Sequence, residues 1–302
     1  MFIIKNKILW LVISGGLVLV SLLSLIAWNL RLGIDFTGGS LLEVEFQPAR
    51  PPIADIREVL ATAGITDPVI QPVDDAGYLM RFAAVAEESH QQILNGLNAL
   101  VAEAGEDASL AELRFDSIGP VIGQELRDKS IKAVFIVLLA ITIYIAWAFR
   151  RVSYPISSWK YGIIAVIALA HDVLIVLGLF VFLGRYLNVE INVAFVAAIL
   201  TILGYSVNDT IVVFDRVREN LARAAGDFET IVGRSVRQTL TRSINTSLTT
   251  LLVLATIYIF GGATVKYFAL ALMAGIFVGT YSSIFIASPL LVVWHNLTRR
   301  RS

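Results

Sequence analysis

Six stretches of this 302-residue chain are long and apolar enough to cross a lipid bilayer: residues 8–30, 131–149, 161–183, 189–214, 239–260 and 266–294. About 20 apolar residues span the hydrocarbon layer as a helix. No water is present there to satisfy peptide groups, so each stretch must close its own backbone hydrogen bonds as an α-helix. Hydrophobic residues make up 57% of the chain and charged residues 16%, so the assignment does not rest on any single stretch. The fourth and fifth stretches carry many polar residues, which leaves their limits soft. The fold class expected is a membrane protein of six transmembrane helices.

The basic residues orient those helices. Lys5, Lys7, Arg150, Arg151, Lys160, Arg216, Arg218, Arg223, Arg234, Arg237 and Arg299 to Arg301 all fall on one side of a six-span topology, which places both termini in the cytoplasm. The other side receives one long insert, residues 31–130, with 7 Lys/Arg against 17 Asp/Glu, so a net charge of zero hides a strong asymmetry. A cleaved signal peptide is the rival reading of the first stretch, because two lysines precede it. The run is too long for a signal-peptide core and no A-x-A pattern follows it, which favours a retained anchor. With no cysteine, the chain has neither disulfides nor thiolate metal sites.

The insert has the pattern of a small α+β domain. Residues 40–47 alternate as a strand, 51–63 read as a capped helix ending at Gly64, and 67–73 and 77–83 as strands around an Asp-Asp-Ala-Gly turn. A second helix at 87–104 stops at Gly105, and 110–117 form a last strand. The order β-α-β-β-α-β is the split βαβ pattern of a ferredoxin-like domain. Its one histidine, His90, sits on a polar-looking helix and reads as a surface residue. Just before the first strand, Gly33-Ile34-Asp35-Phe36-Thr37-Gly38-Gly39 implies a tight backbone path with positive φ available. It is no phosphate cradle, because no Lys-Ser/Thr follows the glycines.

Three ionisable residues stand where lipid-spanning helices should have none: Asp172, Asp209 and Arg242. A charge in hydrocarbon costs at least ~2.5 kcal/mol unless it faces a partner or water, so such residues point to function. Asp209 lies in the block Gly204-Tyr205-Ser206-Val207-Asn208-Asp209-Thr210, where it shares a helix face with Tyr205, Ser206 and Val213 and is flanked by Asn208 and Thr210. It precedes Asp215 by six residues, ~9 Å at 1.5 Å per residue, and so lies inside the hydrocarbon. His171-Asp172 falls about eleven residues, or ~16 Å, into the third span, near mid-depth. That pair reads either as polar glue between helices or as an ion site. Arg242 opens the fifth span ahead of a hydroxyl-rich run that includes Thr246. It reads either as a residue snorkelling to the headgroups or as the partner of Asp209, at similar depth.

An aspartate raised by burial and lowered by a guanidinium can titrate near the pH of one compartment, so moving the arginine or admitting water would load or release a proton. Each proton falling through the membrane potential supplies ~2.3 kcal/mol per 100 mV. No zinc pattern, no nucleophile with a placed base and no phosphate loop is present, so neither catalysis nor a bound metal is expected.

The GIDFTGG stretch, His171-Asp172, the run from Gly204 to Asn220 (GYSVNDTIVVFDRVREN) and TLTRSINTSLTT at 239–250 together resemble the SecF proteins of the SecD/SecF family, within the RND-like superfamily. The resemblance covers nearly the whole chain. It implies six spans that form half of an RND-like transporter, in the bacterial cytoplasmic (inner) membrane, with residues 31–130 extracytoplasmic and 215–238 a cytoplasmic loop. It implies SecD, the SecYEG translocon, exported preproteins and membrane lipids as partners, no nucleic acid, and no cofactor beyond a coupling ion, protons or alternatively sodium. By motif match, Asp209 is the proton-carrying aspartate, Arg242 its partner and Asp172 a contributor. Ser206, Asn208, Thr210, His171 and Thr246 are supporting polar residues, and Gly33, Asp35, Gly38 and Gly39 a hinge motif. The chain departs from the family pattern at Gly233 and Arg237, where amide side chains are expected. The alternative is half of an RND-type exporter of small molecules or lipids, for which an insert of about a hundred residues is small.

Overall fold

The computed structural model describes residues 2–73, 75–105, 108–149, 157–223 and 226–299. Asp74 of the expected turn and the basic residues Arg150, Arg151, Arg300 and Arg301 lie outside the described residues. The chain divides into two units, Met1–Arg31 with Ile131–Ser302, and Leu32–Ser130.

The first unit is helical. A short α1 (Phe2–Lys5) leads into α2 (Lys7–Trp28). Helix α6 (Pro120–Ala148) begins inside the second unit and continues into the first from Ile131, followed by α7 (Ser158–Leu187), α8 (Val193–Arg223), α9 (Phe228–Phe260) and α10 (Ala263–Ser282). The last helix passes through a π turn, Ser283–Ala287, into α11 (Ser288–Arg299). Among the described residues, six helical segments are long and apolar enough to cross a membrane, as expected from the sequence.

All but the first, at 29–34 residues, are longer than a bilayer needs, and two of them meet at a helical hairpin. Helices α8 and α9 have 31 and 33 residues, or about 46–50 Å at 1.5 Å per residue, against a hydrocarbon layer ~30 Å thick. The segment expected as a loop at 215–238 is therefore helical on both sides of residues 224–227. Its sequence explains this: Glu219 pairs with Arg216 and Arg223 along α8, and Asp227 caps α9 by accepting from the Thr230 amide at 3.2 Å. Asn220 then joins the two helices, donating to Ser235 Oγ and Gln238 Oε1, each at 2.8 Å.

Small residues set how closely these helices approach. A Cβ on Gly279 would lie 2.8 Å from Ser206 Cβ, and one on Gly275 would overlap Ile202, so α10 and α8 touch backbone to side chain. On α7, Gly178 meets Ser21 of α2 in the same way. Close approach replaces the hydrophobic drive that lipid cannot supply, and it carries hydroxyls into the interior. At the far end of α2, Arg31 ties the chain to the α7–α8 loop: its carbonyl accepts from the Ile191 amide at 2.9 Å and its guanidinium donates to Asn188.

The second unit is the sheet domain. A one-turn α3 (Ile34–Thr37) precedes β1 (Gly39–Gln47), α4 (Ile53–Thr62), β2 (Val69–Val73), β3 (Gly77–Phe82), α5 (Glu87–Ala104) and β4 (Ser109–Ile118). The strands form one antiparallel sheet in the order β2-β3-β1-β4, with Leu42 opposite Met80 and Gly39 opposite Ile118. This is the split βαβ arrangement that the element order implies. Leu42, Val44, Phe46, Tyr78 and Met80 of the sheet pack with Ile56 and Leu60 of α4 and Ile93 and Leu97 of α5 in one core.

His90 corrects a reading from sequence. It is buried rather than on the surface, its ring stacked on Phe115 with centroids 3.7 Å apart. Its Nδ1 lies 3.1 Å from Glu87 and its Nε2 3.1 Å from Glu112. The residue stands one turn before Ile93, on the face that α5 turns to the core, and the polar neighbours on the opposite face masked that period.

Candidate functional site

Asp172 lies inside the helical unit with no solvent exposure. Its Oδ1 is 2.9 Å from His171 Nδ1, and its Oδ2 accepts from Ser206 Oγ at 2.5 Å and from Ser282 Oγ at 2.8 Å. Helices α7, α8 and α10 each contribute to this one carboxyl. A buried carboxylate needs such donors, because each unmet hydrogen bond of a charged group costs several kcal/mol.

Asp209, on α8, is half-buried. Its Oδ1 accepts from Ser243 Oγ of α9 at 2.5 Å, and its Oδ2 accepts from Ser283 at the start of the π turn. Two consecutive residues of the last span therefore serve two acids on two different helices. The polar interior continues through Ser247 and Thr280, whose hydroxyls lie 2.5 Å apart, with Tyr205 donating to Ser247 at 3.3 Å. On the other side of Asp172, Tyr281 lies beside His171 and its hydroxyl is 2.9 Å from Ser14 of α2.

The π turn has a local cause. Pro289 has no N–H and its ring crowds the carbonyl four residues back, so an ordinary helical turn cannot close there. The helix widens by one residue, and Ser288 Oγ donates to the Ser283 carbonyl at 3.1 Å.

Among the residues singled out from sequence, Asp172, His171, Ser206 and Asp209 come together through α10, and Thr210 is buried next to them on α8. Asn208 faces outward. Arg242 does not pair with Asp209: it is exposed, and among the described residues no ion pair joins them. The register of α9 decides this, since Ser243 and Ser247 face the interior and Arg242, one residue earlier, is turned by about 100°. Thr246 is also exposed, its hydroxyl donating to the Arg242 carbonyl at 2.8 Å.

Gly33, Asp35, Gly38 and Gly39 belong to the other unit. Gly33 precedes α3, and Asp35 lies in its first turn. Gly38 has φ +74° and Gly39 φ +130°, conformations that an L side chain rarely adopts. A Cβ on Gly38 would stand 2.7 Å from Pro120 Cα, and one on Gly123 would stand 2.8 Å from the Gly38 nitrogen. The motif is thus a close crossing between the start of β1 and the start of α6.

Sequence reasoning passed over Ser243, Ser282 and Ser283. A signal for the last two was present: a Ser-Ser pair in an apolar span, six residues before Pro289.

Among the described residues, six apolar helices, an acid-and-hydroxyl interior shared by α7, α8, α9 and α10, and a small sheet domain inserted after the first span define a multi-pass membrane protein of the transporter type. Residues 98–297 match the family described as protein export membrane protein SecD/SecF, C-terminal, and residues 30–49 match the SecD/SecF GG motif. Similar proteins include the protein translocase subunit SecF of Thermobaculum terrenum, 43% identical over 97% of this chain and 94% of that protein. SecF of Anaerolinea thermophila is 39% identical, with 97% and 94% covered. A crystal structure of SecDF from Thermus thermophilus, described as a translocon-associated membrane protein, superposes with a TM-score of 0.81 at 33% identity. The match covers 97% of this chain and 38% of that one. The chain belongs to the SecD/SecF family, in its SecF branch.

Proposed function

We propose that this chain is a non-enzymatic subunit of a protein translocase that couples ion flow, with protons as the ion, to preprotein export across the bacterial cytoplasmic membrane. Asp209 is the site that loads the proton, and SecD supplies the other six-helix half. The observation that carries this reading is Asp209 itself: a carboxyl within an apolar span, held by hydroxyls from two other helices and only half-buried by this chain.

The outer face of α9 supports the second half of the reading. Arg242, Asn245, Thr246 and Thr249 are exposed there, in a span where lipid would strand them. A second subunit covering this face brings Arg242 into a shared interior. It also accounts for a chain that matches 38% of a SecDF chain. The distribution of basic residues supports a reading with the termini in the cytoplasm and the sheet domain outside, on the side where exported chains emerge.

The test is export into vesicles with and without a proton gradient. Asp209→Asn keeps the size and planar shape of the side chain but cannot ionise. We expect it to insert normally and to lose the gradient-dependent part of export. Gradient-stimulated export at the wild-type rate in that variant would refute the coupling.

A further inference from the structure

We propose that Ser282 and Ser283 form a hydroxyl bridge that couples the protonation of Asp172 to that of Asp209, so that the two acids exchange protons with solution as one unit. The inference rests on the proposed role of Asp209.

Adjacent residues on a helix point about 100° apart. Here that angle sends Ser282 to Asp172 on α7 and Ser283 to Asp209 on α8. The two Cα atoms are about 3.8 Å apart across a single peptide, so a shift of one serine moves the other.

Each hydroxyl also has a second acceptor. Besides its carboxylate, Ser282 Oγ lies 3.1 Å from the Gly279 carbonyl, and Ser283 Oγ lies 3.0 Å from the Thr280 carbonyl. A hydroxyl carries one proton to donate and two lone pairs to accept with. When an acid is ionised, its serine donates to the carboxylate. When the acid takes a proton from solution, it becomes the donor, the serine oxygen accepts, and the serine proton turns to the carbonyl of its own helix. The serine gains and loses no proton, and neither state leaves a buried polar group unpaired. A hydroxyl with no such carbonyl would favour one charge state only.

The π turn begins at Ser283 itself, a feature frequent at functional positions in helices. The titratable groups that face the pair are His171 and Asp172 from α7, Asp209 and Tyr205 from α8, and Tyr281 on its own helix. Helix α9 presents Ser243 and Ser247, and α2 presents Ser14. Among the described residues, the two aspartates are thus the only acids at the bridge.

The experiment is an infrared pH titration of the carboxyl bands of the full chain in lipid vesicles. Asp172→Asn and Asp209→Asn each delete one band and so assign both. We expect Asp172→Asn to move the midpoint of the Asp209 band by about one pH unit or more, the sign of a coupled pair. With Ser282→Ala and Ser283→Ala in the background, the same substitution should leave that midpoint in place. Ser243→Ala removes a different donor from Asp209 and should leave the coupling intact, which separates the bridge from a general loss of hydrogen bonds. Coupling that survives removal of both serines overturns the inference. So does an Asp209 midpoint that ignores Asp172→Asn in the otherwise native chain, a measurement that needs no serine variant to fold. If Asp209→Asn leaves gradient-driven export intact, the proposed function fails, whatever the titration shows.

Discussion

Arg242 and Asp172 show what one helical step decides. Both were named from sequence as charges out of place, yet Asp172 is fully enclosed while Arg242 stands on an outer face. Depth is legible in a sequence because hydropathy marks where a span begins and ends. Direction was not legible on α9, since hydroxyls at 239, 241, 243, 246, 247, 249 and 250 leave no single polar stripe to phase the helix. Gly38 is the residue whose constraint is sharpest. We expect Gly38→Ala to destabilise the sheet domain by about 1–3 kcal/mol, because it adds a Cβ against Pro120 to a backbone that already disfavours side chains. Faster hydrogen exchange in β1 and β4 of the intact protein would register the loss. Glu87 carries a pH dependence. Hydrogen bonds from Gln91 and then His90 hold its carboxyl below the ordinary carboxylate range near about 4.3. A lowered folded-state value stabilises above that range, and the contribution is lost as pH falls through the folded-state value. Acid titration of domain exchange should show this, and Glu87→Gln should flatten it.

At the scale of elements, the sheet domain was readable nearly whole, because strands and helices alternate between clear turn residues and each buries one regular face. The sixth span was not. It reads as one apolar stretch, whereas a π turn divides it and changes which residues face inward on either side. The cue was Pro289, but a proline in a span fixes only that the helix must adapt, not whether it kinks, breaks or widens. We expect Pro289→Ala to restore the missing N–H and let the turn close as α-helix, rotating Ser282 and Ser283 relative to α11. Gradient-dependent export should then fall while thermal stability holds or rises. Unchanged export in vesicles would show that the widened turn is incidental. The α8–α10 contact is equally specific to its small residues. Gly279→Val forces Ser206 away and should cost about 1–3 kcal/mol, read as a lower melting temperature in detergent.

At the scale of the whole molecule, the exposed polar face of α9 is where the proposed second half would bind. We expect Asn245→Trp to reduce co-purification with SecD in mild detergent while insertion stays normal, since a large ring cannot be accommodated in a close helix contact. Retained association would place the interface elsewhere. The pairing of Gly39 with Ile118 has a mechanical consequence. The sheet domain is entered and left at the same end of two adjacent antiparallel strands. Tension that drew those two attachments apart would unzip the ladder one hydrogen bond at a time, the weakest direction in which a sheet can be loaded. A pull that acts on both in the same direction puts no shear between them. The domain can therefore be towed as a solid body, and the glycine crossing at its base keeps the two tow lines together.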